Sequence, residues 1–313
     1  MNEYAIRTEH LSCHFGAIRA VDDLSLEIPK GIVFGFLGPN GSGKTTTIRL
    51  LLGLLEPTQG TACVLGFNTR THSEQIRNAS GALLEHSGLY ERLSAHDNLE
   101  FYGRIYRMDR SRLGARIKEL LTHFGLWERR HEHVGNWSRG MKQKVAIART
   151  LLHQPSLVFL DEPTAGLDPV AAASLRDDIA ALVQSGDVTV FLNTHNLPEA
   201  EQLCGQVGVI RNGKLLSVGT LDQLRREENP ARVVITGSGF TQEILDQLRK
   251  QAIVKVVIQH NSHLEITLSN PASTSRLLGF LISSGAQVDE VRKDKASLEE
   301  VFLKMMEEES NGA

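Results

Sequence analysis

Up to about Leu224, short apolar runs alternate with longer stretches whose apolar positions recur every three or four residues. That alternation predicts a mostly parallel sheet covered by helices. Ile32–Leu37, Leu157–Leu160, Val188–Asn193 and Val207–Ile210 are the candidate core strands, and Ala5–Phe15 and Ala20–Ile28 read as antiparallel strands of a smaller side sheet. Ser94-Ala95-His96-Asp97 has the form of a capping box opening a helix through Tyr106, with Leu99, Tyr102 and Ile105 at helical spacing, so a helical subdomain is expected in this part of the chain. The composition changes after Arg225-Arg226-Glu227-Glu228-Asn229-Pro230, which reads as a linker between domains at 1–224 and 225–313. Beyond it the order is strand (Arg232–Thr236), helix (Gln242–Lys250), strand (Ile253–Gln259), strand (His263–Leu268), helix (Pro271–Ser284), strand (Gln287–Val291). This is the split β-α-β-β-α-β arrangement of ferredoxin-like α+β domains. A last helix, Ser297–Glu308, carries Leu298, Val301, Phe302 and Met305 on one side.

The chemistry concentrates where strands end. Gly38-Pro39-Asn40-Gly41-Ser42-Gly43-Lys44-Thr45 fits G-x-x-x-x-G-K-[ST], follows the apolar run ending at Leu37, and opens a helical pattern through Leu54. Glycines leave backbone N–H groups free to point at phosphate oxygens, and the helix behind them adds the positive end of its dipole. Lys44 is placed to hold the β- and γ-phosphates and Thr45 the Mg²⁺, with Thr46 next in line. Leu157-Val158-Phe159-Leu160-Asp161-Glu162 is an apolar strand ending in two acids, at the end of the sheet where α/β folds bind ligands. Asp161 is a candidate Mg²⁺ holder, and Glu162 a candidate base for the attacking water.

In these motifs the chain resembles the nucleotide-binding subunit of an ATP-binding cassette (ABC) transporter over roughly residues 3 to 220. Gly38–Thr45 corresponds to the Walker A loop, Leu157–Glu162 to Walker B, Gly166-Leu167-Asp168 to the D-loop and Asn193-Thr194-His195 to the switch histidine. Trp137-Ser138-Arg139-Gly140-Met141-Lys142-Gln143 occupies the signature position. The fold this implies is α/β, a P-loop ABC ATPase core with the small ferredoxin-like domain behind it. ATP and Mg²⁺ are the implied cofactors. The resemblance implies adenine stacking for Phe15, γ-phosphate contact for His195, and contact with ATP on a second subunit for Ser138, Gly140 and Asp168. Ser138 can also cap the helix of Met141, Val145, Ala148 and Leu152.

Two motifs depart from the family pattern. Arg139 and Met141 replace a glycine and the glutamine of L-S-G-G-Q, a form similar to cassettes that pair with type-2 export permeases. Ser297–Leu303 resembles the tail of the same branch. Glu85 stands where a glutamine that watches the Mg²⁺ is usual, and an ionised carboxylate only accepts hydrogen bonds, so it could hold the metal or its water but could not donate to phosphate.

With 313 residues, 41% hydrophobic and 23% charged, the chain is long enough for two domains with separate cores. A net charge of −3 gives no electrostatic case for nucleic acid. No apolar run approaches the ~18 residues of a membrane span, so the expected location is cytoplasmic, held at the inner face of the membrane by a separate permease. Cys13, Cys63 and Cys204 are too scattered for a disulfide framework, and the pairs His10/His14 and His131/His133 have no third metal ligand nearby in sequence. The expectation is an Mg²⁺-dependent ATPase that works as a pair of identical copies and drives a permease made as another polypeptide. Rival readings are a soluble cassette acting on nucleic acid or ribosomes, and an ATP sensor with little hydrolysis. The missing second cassette and coiled coil oppose the first, and Glu162 with His195 the second.

Overall fold

Two twelve-residue strands, β1 (Tyr4–Phe15) and β2 (Ile18–Pro29), pair antiparallel at the start of the chain. Leu24, Leu26 and Ile28 are buried while Ser25 and Glu27 between them face solvent, the period-two pattern of a half-covered sheet. β3 (Val33–Leu37) is buried along its whole length and runs through the glycine loop into α1 (Lys44–Leu51). β4 (Gln59–Val64) and β5 (Phe67–Asn68) then return to the first sheet, giving it the order β2-β1-β4-β5. α2 (Ser73–Ala79) leads into β6 (Ser80–Leu83). Three helices follow: α3 (Ala95–Ile105), α4 (Arg110–His123) and α5 (Arg139–Leu151).

The chain re-enters the core as β7 (Leu157–Asp161), α6 (Pro169–Val183), β8 (Thr189–Thr194), α7 (Leu197–Leu203), β9 (Gln206–Arg211) and β10 (Lys214–Gly219). The main sheet has the order β10-β9-β3-β8-β7-β6, parallel except for the β9–β10 hairpin. Strands covered on both faces have no polar side to show, which is why β3, β7 and β8 read as unbroken apolar runs. Phe191 packs against Phe34, Phe36 and Phe159 with centroids 5.6, 5.4 and 5.6 Å away, in the same core as Ile6, Leu11, Leu24 and Ile28 of the antiparallel sheet.

This computed structural model describes residues 3–85, 87–184, 186, 188–228, 232–260, 263–268, 274–294 and 297–311. The chain forms two units, Met1–Gly219 and Thr220–Ala313. The division falls a few residues before the 224/225 boundary expected from composition, because α8 (Leu221–Glu228) packs against the final helix and so groups with the second unit. Asn229 and Pro230 of the expected linker lie outside the described residues.

The second unit continues with β11 (Arg232–Ser238), α9 (Gln242–Arg249), β12 (Val254–Gln259), β13 (His263–Leu268), α10 (Thr274–Ser283), β14 (Gln287–Asp294) and α11 (Leu298–Asn311). Its antiparallel sheet has the order β12-β13-β11-β14, the ferredoxin-like topology that the split pattern predicts. Leu264, Ile266 and Leu268 point into a core with Ile244, Leu248, Leu277 and Leu281 of the helices. The helix expected from Pro271 begins at Thr274 among the described residues, Pro271 itself lying outside them.

Candidate functional site

The C-terminal ends of β3, β7 and β8 lie side by side, and each delivers a polar residue to one cavity of about 410 Å³. Asn40, Gly41, Gly43, Lys44, Thr45 and Thr46 form one wall, and Asp161, Glu162 and Asn193 face them. Gly43 adopts φ 107° at the N-cap of α1, and a Cβ there would come within 2.2 Å of the Ala20 carbonyl oxygen. Glycine is therefore required on both counts. At Gly41 no atom lies within 4 Å of where a Cβ would stand, so the loop backbone is open to the cavity. Gly38, Pro39 and Ser42 complete the loop, with the Ser42 hydroxyl buried and without a protein partner.

Lys44 crosses its own loop, its Nζ donating to the carbonyl oxygens of Gly38 (2.8 Å) and Pro39 (3.0 Å). Burial lowers the pKa of this ammonium, and Glu162 and Asp161 oppose the shift. Thr45 Oγ1 donates to Asp161 Oδ2 at 2.9 Å, and the Asn193 amide donates to the other carboxylate oxygen. Burial raises the pKa of Asp161, partly offset by those two hydrogen bonds.

Glu162 departs from the strand with φ 50°, a left-handed conformation that costs a non-glycine residue about 1 kcal/mol. The bend leaves its Oε1 2.7 Å from His195 Nδ1 and accepting the His195 backbone N–H at 3.0 Å. Thr194, just before the histidine, donates to buried Glu199 of α7 at 2.8 Å.

The remaining candidates lie apart from this cavity. Phe15 is 50% exposed at the end of β1 and is not part of the lining, where Ile18, Arg19 and Ala20 supply the neighbouring wall. Glu85 is exposed just beyond β6, 3.9 Å from Arg49, and also does not line it. Ser138, Gly140 and Asp168 form a separate group. Ser138 caps α5 through the Met141 N–H at 3.3 Å, and Asp168 caps α6 through the N–H groups of Val170 and Ala171. A Cβ on Gly140 would stand 3.0 Å from Ala171 Cβ, so the two helix starts are in contact. Arg139 lies over Gly166, whose φ is 69° and where a Cβ would meet the guanidinium at 2.1 Å.

Asn212, which lines the cavity, belongs to no motif, and Asn193, also in the lining, enters the sequence motifs only as the residue before Thr194-His195, with no role of its own. For Asn193 a signal exists, since an amide ending an apolar strand beside an acid-tipped one has a ready partner.

A family model described as "ABC transporter" matches residues 21–165, and one for the C-terminal domain of DrrA1-3-like ATP-binding proteins matches 219–306. The bacitracin transport ATP-binding protein BcrA of Bacillus licheniformis is 35% identical, covering 96% of this chain and 97% of its own. This chain belongs to the ATP-binding subunits of ABC transporters. The daunorubicin/doxorubicin resistance ATP-binding protein DrrA of Streptomyces peucetius is also 35% identical to this ABC subunit, over 96% of this chain and 91% of the relative. A solved structure of an ATP-binding subunit of an ABC transporter superposes with a TM-score of 0.64 at 31% identity, over 71% of this chain and 92% of that one. The ADP conformation of MJ1267, an ATP-binding cassette of an ABC transporter, shows the same fold at 23% identity, TM-score 0.64, over 70% of this chain and 92% of that one. The ABC subunit is thus an ATP-binding ATPase. Among its described residues no helix is long and apolar enough to cross a membrane.

Proposed function

We propose that this ABC subunit is the Mg²⁺-dependent ATPase motor of an exporter, working as a pair of cassettes at the cytoplasmic face of a separate membrane permease. The names of its relatives, for bacitracin transport and daunorubicin resistance, support the exporter reading. The observation that carries it is the Glu162–His195 pair at the cavity holding Lys44. On binding ATP, Lys44 exchanges its two loop carbonyls for phosphate oxygens. Glu162 accepts a proton from the attacking water, and His195 fixes that carboxylate through Nδ1, leaving its Nε2 for a γ-phosphate contact. Phe15, exposed at the end of β1, is free to stack on adenine.

Thr45 and Asp161 present two hard oxygen donors 2.9 Å apart, a set that suits Mg²⁺. When bound there, the ion would neutralise the negative charge that builds on the phosphate oxygens during transfer. Ser138 and Gly140 lie outside the cavity of their own chain, which fits a role at the nucleotide of a second copy. In that arrangement ATP holds the pair together and hydrolysis lets it part. The C-terminal residues 225–313 act as an accessory module.

Measuring Mg²⁺-dependent ATPase activity of the wild type and Glu162→Gln tests the reading. Hydrolysis falls by about 10²-fold or more while nucleotide still binds. Equal activity in the two proteins would leave only a nucleotide sensor.

A further inference from the structure

The second unit carries a group of donors that the nucleotide chemistry does not use. His260 follows β12, and His263 and Glu265 lie two residues apart on β13, hence on one face of the sheet. That face is the half-exposed one, since Leu264, Ile266 and Leu268 between and beyond them are buried. The His260 N–H donates to the His263 carbonyl at 2.9 Å, closing the hairpin and stacking the two imidazoles with centroids 4.6 Å apart.

The distances decide what this group suits. Glu265 Oε1 is 3.5 Å from His260 Nε2 and 3.8 Å from His263 Nε2, both longer than the ~2.8 Å of a charge-assisted hydrogen bond. One ligand atom from each residue lies within 4.8 Å of the others. Two donors each about 2.05 Å from a tetrahedral ion are separated by about 3.3 Å, so Glu265 already stands near the required spacing from each histidine, while the stacked imidazoles must rotate about their side-chain bonds to aim at one ion. Two imidazole nitrogens and one carboxylate form a borderline-soft set that favours zinc-class ions over Mg²⁺ or Ca²⁺. Half-exposed side chains leave the outer positions to water.

We propose that His260, His263 and Glu265 bind one divalent transition-metal ion of the zinc class, pinning the β12–β13 hairpin. The other candidate group, His96, Asp97 and Glu100 on α3, is less suited because its acids are engaged. Asp97 accepts from Ser94 Oγ at 2.7 Å, and Glu100 pairs with Arg104 at 2.6 Å. Across the proposed face, Glu290 and Arg292 of β14 lie in the rows of His263 and Glu265, one of each sign, so the sheet neither adds nor removes net charge.

Titrating untagged, metal-stripped, nucleotide-free full-length protein with Co²⁺ tests the site by visible absorption, with Zn²⁺ as competitor. One equivalent gives ligand-field bands that Zn²⁺ abolishes and excess Mg²⁺ does not. His260→Gln, His263→Gln and Glu265→Gln each weaken binding at least tenfold with an unchanged metal-free melting temperature, and His96→Gln leaves it as in the wild type. No bands in the wild type, or bands that survive in His263→Gln, would overturn the assignment. Hydrogen exchange gives a reading that needs no variant. Zn²⁺ slows exchange in the 254–268 hairpin, and slowing confined to α3, or none, refutes the site.

Discussion

Glu162 at the end of β7 is held twice by His195 at the end of β8, through the ring at 2.7 Å and the backbone amide at 3.0 Å. The backbone bond survives any substitution at 195 except proline, so the side chain can be removed without releasing the acid. His195→Ala is therefore expected to bind ATP nearly as well as the wild type and to lose about 10²- to 10³-fold in kcat. Steady-state hydrolysis beside equilibrium nucleotide binding checks this, and an equal loss in both would make the histidine a docking residue.

Arg139 and Gly166 form a second testable pair. Gly166→Ala brings a methyl into the guanidinium and forces alanine into φ 69°. The conformational part costs about 1 kcal/mol whatever lies nearby. The steric part vanishes when Arg139 is shortened. In a double-mutant cycle with Arg139→Ala, the glycine substitution costs less than in the wild type, with a coupling of about 0.5 kcal/mol or more by urea melts. Strict additivity would mean that the arginine moves aside freely.

Glu85 meets Arg49 at 3.9 Å with both side chains largely in water, and such pairs contribute about 0–1 kcal/mol. Glu85→Gln keeps substantial ATPase activity and stability within about 0.5 kcal/mol of the wild type. Complete loss of hydrolysis would give the carboxylate a role that its exposed position does not suggest.

Glu199 is 1% exposed, and burial raises its pKa above the ordinary 4.5. Between the ordinary and raised values the folded chain keeps a proton that the unfolded chain has released. Stability contributed by the neutral acid is thus full below pH 4.5 and is lost as pH rises through the folded pKa, by up to about 1.4 kcal/mol per unit. Glu199→Gln still accepts from Thr194 and has no such charge. Its stability relative to the wild type grows with pH across that window in urea melts at several pH values, and a constant difference would contradict the buried neutral acid.

Tyr90, Phe101 and Ile105 are 49%, 39% and 58% exposed, and Tyr90 meets Phe101 edge-on at 5.0 Å. In the proposed transporter this region, Tyr90–Tyr106, meets the permease. Phe101→Glu or Ile105→Asp leaves ATP binding unchanged and lowers transport at least tenfold. Unaltered transport would move the docking surface elsewhere.

The main strands were legible because full burial imposes unbroken apolar runs, and the second unit because alternation and helical spacing switch cleanly between His263–Leu268 and the helices around it. β6, Ser-Gly-Ala-Leu, was not foreseen. Its small residues carry no periodic signal, and pairing with β7 rather than local propensity makes it a strand. β4 was hidden similarly by Gln59, Gly60 and Thr61. Ile105 shares the helical spacing of Leu99 but faces water, since the buried face of α3 runs through Ala95, Asn98, Leu99 and Gly103. Motif spacing singled out Lys44, Asp161 and Glu162, and the family resemblance singled out His195, whereas the left-handed turn at Glu162 and the Arg139–Gly166 packing depend on tertiary placement that no local pattern encodes.

Ser138 accepts the Met141 N–H at the start of α5, and its own hydroxyl hydrogen is left over for another acceptor. Alanine at this position removes both capacities together, so a failed transporter could not be traced to a frayed helix or to a silent hydroxyl. Glycine terminates helices almost as well, within a few tenths of a kcal/mol, yet offers no O–H group. That substitution alone separates architecture from communication within the proposed pair of cassettes.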